Sequence, residues 1–223
     1  MSMTRPNSET GFTIIELMIA TLVFSMVLIL ITVGVLSFTK AYYRGINQSN
    51  TQNTARTLME NVAQAIQFSG DQVTSPIDTT GSNGSVGFCI GSTRYSYLLG
   101  YQLTDDTPNA TLSQAKHSIL RDTPGLCGGL SAQDVRATGA TGTEMLQPKM
   151  RLSKLSVVQS SDGLYKVTVR VVYGDDDLLY SPSGNAAGAQ ASDANCKTGI
   201  SGSQFCAASE LSTTVKKRIT QAQ

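Results

Sequence analysis

One carboxylate, Glu16, stands inside an otherwise uncharged apolar run that extends to Phe38. An ionised side chain at membrane depth costs about 2.5–3.5 kcal/mol on insertion scales, so a chain that keeps one there needs a partner for it. No cation lies close to it in sequence. Other groups with chemical potential are few. Asp175-Asp176-Asp177 is either a calcium loop or a solvated turn after a strand. Three aspartates without the EF-hand spacing or its distal glutamate fall short of the six to eight oxygens calcium takes, which favours the turn. His117 is the sole histidine and belongs to no nucleophile motif. The spacings of Cys89, Cys127, Cys196 and Cys206 are not those of a zinc site. With no glycine-rich phosphate loop and no paired-carboxylate motif, neither catalytic residues nor a cofactor or metal are expected.

The segment Gly11-Phe12-Thr13-Ile14-Ile15-Glu16, with a short polar leader before it and a long apolar helix after it, resembles the cleavage and methylation segment of type IV prepilins. The resemblance implies that a membrane-embedded prepilin peptidase cuts between Gly11 and Phe12 and that the new amino group of Phe12 is N-methylated. Cleavage there creates an ammonium that Glu16, four residues along, can neutralise on its own chain or on a neighbour's. At about 4 Å and an effective dielectric near 20 such a pair is worth roughly 4 kcal/mol before desolvation, close to the insertion cost.

The elements that must carry this site follow from hydropathy. The stretch Phe12 to Phe38 makes a helix of about 40 Å, more than the roughly 30 Å hydrocarbon core requires. A secretory signal would have a shorter apolar region with a small-residue cleavage site behind it, and Thr39-Lys40-Ala41 is a poor one. Flanking charge does not orient the span: the leader has Arg5 and the Met1 amine against Glu9, and Lys40 and Arg44 follow. The cytoplasmic placement of the N-terminus comes from the resemblance, because the family's peptidase works on that face. Thr21, Ser25 and Thr32 are free either to bond between helices or to bond their own backbone.

From Ala55 the positions Ala55, Leu58, Met59, Val62, Ala63 and Ile66 form one apolar stripe opposite Arg56, Glu60 and Gln64. No proline falls between Phe12 and Ser75, so the spacing predicts one helix to about Phe68, with Gly34 and Gly45 as its weak points. Beyond it, Tyr95, Tyr97, Leu99, Tyr101 and Leu103 alternate as one half-buried strand. Met150 to Val158 and Leu164 to Tyr173 flank Ser160-Ser161-Asp162-Gly163 as a hairpin, with a bulge expected between Leu152 and Leu155. In the second strand Tyr165, Val167, Val169, Val171 and Tyr173 share a face opposite Lys166, Thr168 and Arg170, the pattern of a sheet covered on one side. His117 to Arg121 and Leu211 to Ile219 read as further strands. Two long connections remain, Asp122 to Gln147 and Gly174 to Gln204.

The four cysteines allow three pairings, of which Cys89 with Cys127 and Cys196 with Cys206 are favoured as sequence-near. Their loops of about 38 and about 10 residues are each worth roughly 3 to 4 kcal/mol in the chain-entropy account. The expected fold is α+β, a long N-terminal helix packed on an antiparallel sheet with disulfide-pinned loops, as in the pilin fold that the resemblance implies. The expected segments are a leader 1–11, a membrane or filament-core helix 12–38, an amphipathic helix 39–70 and an extracellular β-rich domain 71–223. The resemblance implies a structural, non-enzymatic subunit of a type IV pilus, closest to minor pilins and J-type pseudopilins, used for adhesion, twitching motility or DNA uptake. Its alternatives are a type II secretion-type pseudopilin and a membrane-anchored binding domain that never polymerises. Implied partners are the membrane, prepilin peptidase, other pilin subunits through the N-terminal helix, the pilus assembly platform, and a surface or host-cell ligand for the long loops. The Gly174 to Gln204 loop resembles the C-terminal cysteine loop of many pilins and is the expected contact surface. The implied localisation is single-pass in the cytoplasmic membrane, then in an extracellular filament. A net charge of +1 argues against nucleic acid as the main partner.

Overall fold

The computed structural model describes residues 11–70, 73–74, 85–106, 114–124, 127, 130–131, 135–136, 141–161, 163–180 and 194–218. The leader up to residue 10, Asp162 of the hairpin turn, residues 181–193 of the second long connection and Ile219 lie outside the described residues.

Helix α1 spans Ile14–Phe68 and passes Gly34 and Gly45 without interruption. Among the described residues thirteen strands follow: β1 (Ser85–Val86), β2 (Phe88–Ile90), β3 (Thr93–Tyr97), β4 (Gln102–Leu103), β5 (Gln114–Ala115), β6 (Ile119–Asp122), β7 (Leu130–Ser131), β8 (Thr143–Glu144), β9 (Met150–Ser161), β10 (Leu164–Tyr173), β11 (Leu179–Tyr180), β12 (Asn195–Cys196) and β13 (Ala207–Lys216). They form a five-stranded sheet ordered β13-β10-β9-β4-β5, a four-stranded sheet ordered β2-β3-β6-β8, and the pairs β1-β7 and β11-β12. Pairing is antiparallel except between β4 and β5. The architecture is α+β.

The chain divides into two compact units, one ending at Tyr42 and the other beginning at Tyr43. In the first, α1 exposes apolar side chains on every side, among them Leu17, Phe24, Ile31 and Leu36. Its hydroxyls turn inward on the helix: Thr21, Ser25 and Thr32 donate to the carbonyls of Met18, Thr21 and Leu28 at 3.0, 2.7 and 2.8 Å. Back-bonding of this kind removes an unsatisfied donor from an apolar setting.

In the second unit the stripe Ala55, Leu58, Val62, Ala63 and Ile66 is buried, with Met59 packed at its margin, while Arg56, Glu60 and Gln64 face outward. It covers both large sheets at once. The same core holds Phe88, Tyr95, Tyr97 and Ile119 from the four-stranded sheet and Leu152, Leu155, Val157, Tyr165, Val167, Val169 and Val171 from the five-stranded one. Polar residues extend the buried stripe toward the N-terminus. Asn47, Thr51 and Thr54 are inside, with Asn47 Nδ2 donating to the Gln204 carbonyl at 3.1 Å and the Thr51 hydroxyl to the Asn47 carbonyl at 2.7 Å. Hydrogen bonding is what makes such burial tolerable.

The structure corrects several expectations. The single strand over Tyr95 to Leu103 is two strands in two sheets, β3 and β4. The chain turns at Gly100, whose φ of 79° is open to glycine and whose N–H donates to the Leu152 carbonyl at 2.8 Å. Alternation had also misled because Tyr95, Ser96, Tyr97 and Leu98 are all buried, so both faces of this stretch are covered. The five-stranded sheet is likewise not one-sided. On its far face Val172 packs with Leu178, Leu179, Ala194 and Cys206, a second small core beneath the C-terminal loop, and Thr168 is buried too. The long connections contain β7 and β8, and β11 and β12. The last strand begins at Ala207, not Leu211, directly after Cys206.

The β9-β10 hairpin has two register shifts, one between Leu164 and Tyr165 beside the turn and one between Arg170 and Val171, which pair with Lys154 and Leu152 and leave Ser153 as the extra residue of the bulge. The disulfides are Cys89–Cys127 and Cys196–Cys206.

Candidate functional site

Gly11, Phe12 and Thr13 precede α1 in non-helical backbone, and nothing lies within 4 Å of the position a side chain at Gly11 would take. The Phe12 ring is 91% exposed. Thr13 and Glu16 explain why the helix stops short of them. The Thr13 N–H and hydroxyl both donate to Glu16 Oε2, at 2.9 and 2.8 Å, and the Glu16 N–H donates back to Thr13 Oγ1 at 3.3 Å. This is a capping box, in which two orphan donors of the first turn are satisfied reciprocally. The first helical bond runs from the Leu17 N–H to the Thr13 carbonyl at 3.2 Å. The Gly11–Phe12 peptide bond therefore lies outside the helix. Of the predicted site residues, Glu16 lies in the first turn of α1, while Gly11 and Phe12 precede it. The Thr-x-x-Glu signal for the cap was present in the sequence and was missed, because Glu16 was read only as a charge.

The other candidates lie in the second unit. Asp175 and Asp177 are exposed, and Asp176 is tied to Arg151, whose guanidinium Nη2 lies 2.6 Å from Asp176 Oδ1. Gln102 Nε2 donates to Asp175 Oδ1 at 3.1 Å. Among the described residues no cluster of three histidine, cysteine or acidic side chains is arranged to hold a metal ion. The aspartates fix a turn.

His117 sits beside Glu144, with 3.5 Å between Nδ1 and Oε2. Glu144 accepts four backbone N–H bonds, from Ser118, Ile119, Met145 and Leu146, at 3.0–3.2 Å. Burial raises its pKa above the ordinary value of 4.5 even so, while burial and then the Lys116 charge lower that of His117 below 6.5. The two act oppositely on stability. The neutral His117 ring contributes above pH 6.5, and that contribution is lost as pH falls through the window beneath it, where the unfolded chain binds the proton better. The Glu144 contribution is present at acid pH and is lost as pH rises through its folded value. His117→Asn is therefore expected to flatten the decline in stability below pH 6.5, read as urea midpoints of the full chain in detergent at several pH values.

Among the described residues one helix, α1, is long and apolar enough to cross a membrane. No curated protein and no solved structure matches the chain significantly. Residues 6–32 do match a family, described as the prokaryotic N-terminal methylation motif. That match encloses Gly11, Phe12, the capping box and the start of the apolar helix, so the chain carries the prepilin-type signature of type IV pilins and pseudopilins.

Proposed function

We propose that this chain is a minor subunit of a type IV pilus, made as a membrane-anchored precursor and assembled into or at the tip of an extracellular filament. Prepilin peptidase removes residues 1–11, Phe12 becomes the N-methylated first residue, and Glu16 neutralises the new amine in the assembled state. Residues 12–38 serve as bilayer anchor and then filament core, residues 39–70 continue the spine, and residues 71–223 form the exposed β-rich domain. Adhesion, twitching motility and DNA uptake are the roles such a filament has, and a protein or surface ligand suits the near-neutral chain better than nucleic acid. The motif over residues 6–32 carries this reading, because it joins the Gly11–Phe12 pair to a lone glutamate at the start of an apolar helix.

Intact-mass measurement of the protein recovered from its native membrane tests it. The expected species begins at Phe12 and carries one added methyl group. A chain that retains residues 1–11 fits only an anchored binding domain and overturns the proposal. A secretion-type pseudopilin would share the processing, and is separated by whether the chain occurs in sheared surface filaments.

A further inference from the structure

Beside the Cys196–Cys206 loop the second unit has a face of unusual composition. The Tyr43 and Phe205 rings meet at 5.5 Å between centroids, yet remain 44% and 42% exposed. Ile46, one turn on from Tyr43, and Ile200 in the loop are exposed apolar residues as well. Next to them opens a cavity of about 500 Å³ whose lining includes Arg44, Gln48, Lys197, Thr198 and Ser203, with no carboxylate among the described residues that line it. Lys197 Nζ donates to the Asp177 carbonyl at 2.8 Å, which leaves two of its three protons for a ligand. The loop is not free to leave this place. Its disulfide closes it, and Asn47 and Gln48 donate from α1 to the carbonyls of Gln204 and Ala208 at 3.1 and 3.3 Å.

An apolar, aromatic rim beside a cationic cleft mirrors what a phospholipid offers, an acyl chain beside a phosphate. Its place in the chain points the same way. Tyr43 follows Phe38, the end of the apolar run, by only five residues, and tyrosine and basic residues concentrate at the membrane–water interface. We propose that this face docks on an anionic bilayer surface, with a headgroup phosphate in the cleft between Arg44 and Lys197 and with Tyr43, Phe205 and Ile200 at the boundary of headgroups and acyl chains. The proposal rests on reading α1 as the membrane anchor.

The chain contains no tryptophan, so Phe205→Trp is a sole reporter in the full chain reconstituted into vesicles. Docking predicts blue-shifted emission and quenching by lipids brominated near the ester end of the acyl chain. Adding Lys197→Glu lowers the docked-to-free ratio about fivefold in vesicles containing phosphatidylglycerol, and much less in pure phosphatidylcholine. Ile200→Trp repeats the measurement should Phe205→Trp not fold. Phe24→Trp, inside the apolar run, tests the anchor independently. Quenching of Phe24→Trp without quenching at positions 205 and 200 overturns the docking and leaves the anchor intact; no quenching at any of the three overturns the anchor and the docking with it. Two further results overturn docking on lipid: release of the quenching by inorganic phosphate, which assigns the cleft to a free anion, and a blue shift that follows protein density without bromine quenching, which assigns the face to a second copy.

Discussion

A Glu16→Val chain is expected to reach the membrane in normal amount and to be missing from sheared filaments. Valine removes a charge whose insertion costs about 2.5–3.5 kcal/mol, so anchoring does not suffer. Assembly does, because the Phe12 ammonium loses a partner worth roughly 4 kcal/mol at about 4 Å, close to a thousandfold in an equilibrium. The capping box supplies a competing explanation, since Glu16 also satisfies the Thr13 N–H and hydroxyl. Glu16→Gln separates the two. Its amide oxygen can still accept from Thr13, but it carries no charge; an assembly defect as complete as that of valine assigns the role to charge, whereas normal incorporation of the glutamine variant refutes the pairing. The measurement is the amount of this chain in membrane and filament fractions.

The second large effect is expected at Arg151, a residue that sequence patterning assigns no role. Its side chain is 6% exposed on β9 and reaches two separate segments: Nη2 pairs with Asp176 at 2.6 Å and donates to the Gly174 carbonyl at 3.0 Å, and Nη1 donates to the Gly100 carbonyl at 3.3 Å. The guanidinium thus ties the Gly100 corner to the turn before β11. Arg151→Ala removes this donor from the Gly100 carbonyl and leaves the Gly174 carbonyl to Gln102 Nε2 at 3.1 Å, and is expected to cost about 2–3 kcal/mol. Asp176→Asn should cost no more than about 1 kcal/mol, because Asp176 is 42% exposed and water replaces much of what is lost. Urea unfolding of the full chain in detergent measures both, and equal losses at the two positions would show that the ion pair, not the carbonyl bonds, holds the turn.

What could be read in the residues and what could not has a physical pattern. The helix was legible because Ala55 to Ile66 keep a strict stripe and no proline interrupts the chain before Ser75, two signals that do not depend on distant neighbours. The β9-β10 hairpin was legible for the same reason, as Asp162-Gly163 joins two strands of clear period, and the phase change at Leu152 marked the bulge at Ser153. The split between β3 and β4 was hidden because alternation reports one covered face, and here Ser96 and Leu98 are buried as deeply as Tyr95 and Tyr97. Val172 was hidden likewise: its cover, Leu178, Leu179 and Ala194, comes from a connection with no periodic signal. At the candidate site Glu16 stands out as a lone charge in an apolar run, while Gly11 and Phe12 gain meaning only from the resemblance to prepilins. The hydrogen bonds that start the helix at Thr13 follow from the Thr-x-x-Glu spacing of Thr13 and Glu16.

The naked apolar surface of α1 before Tyr42 has a consequence for how the molecule can move. Each large aliphatic side chain left facing water forfeits about 1.5–3 kcal/mol, so the whole stretch would cost on the order of tens of kcal/mol in aqueous solution. A free, dissolved monomer is thus not an available waypoint. If the chain assembles as proposed, departure from lipid and arrival against other subunits have to be a single concerted transfer, with one greasy surrounding exchanged for another before solvent can enter.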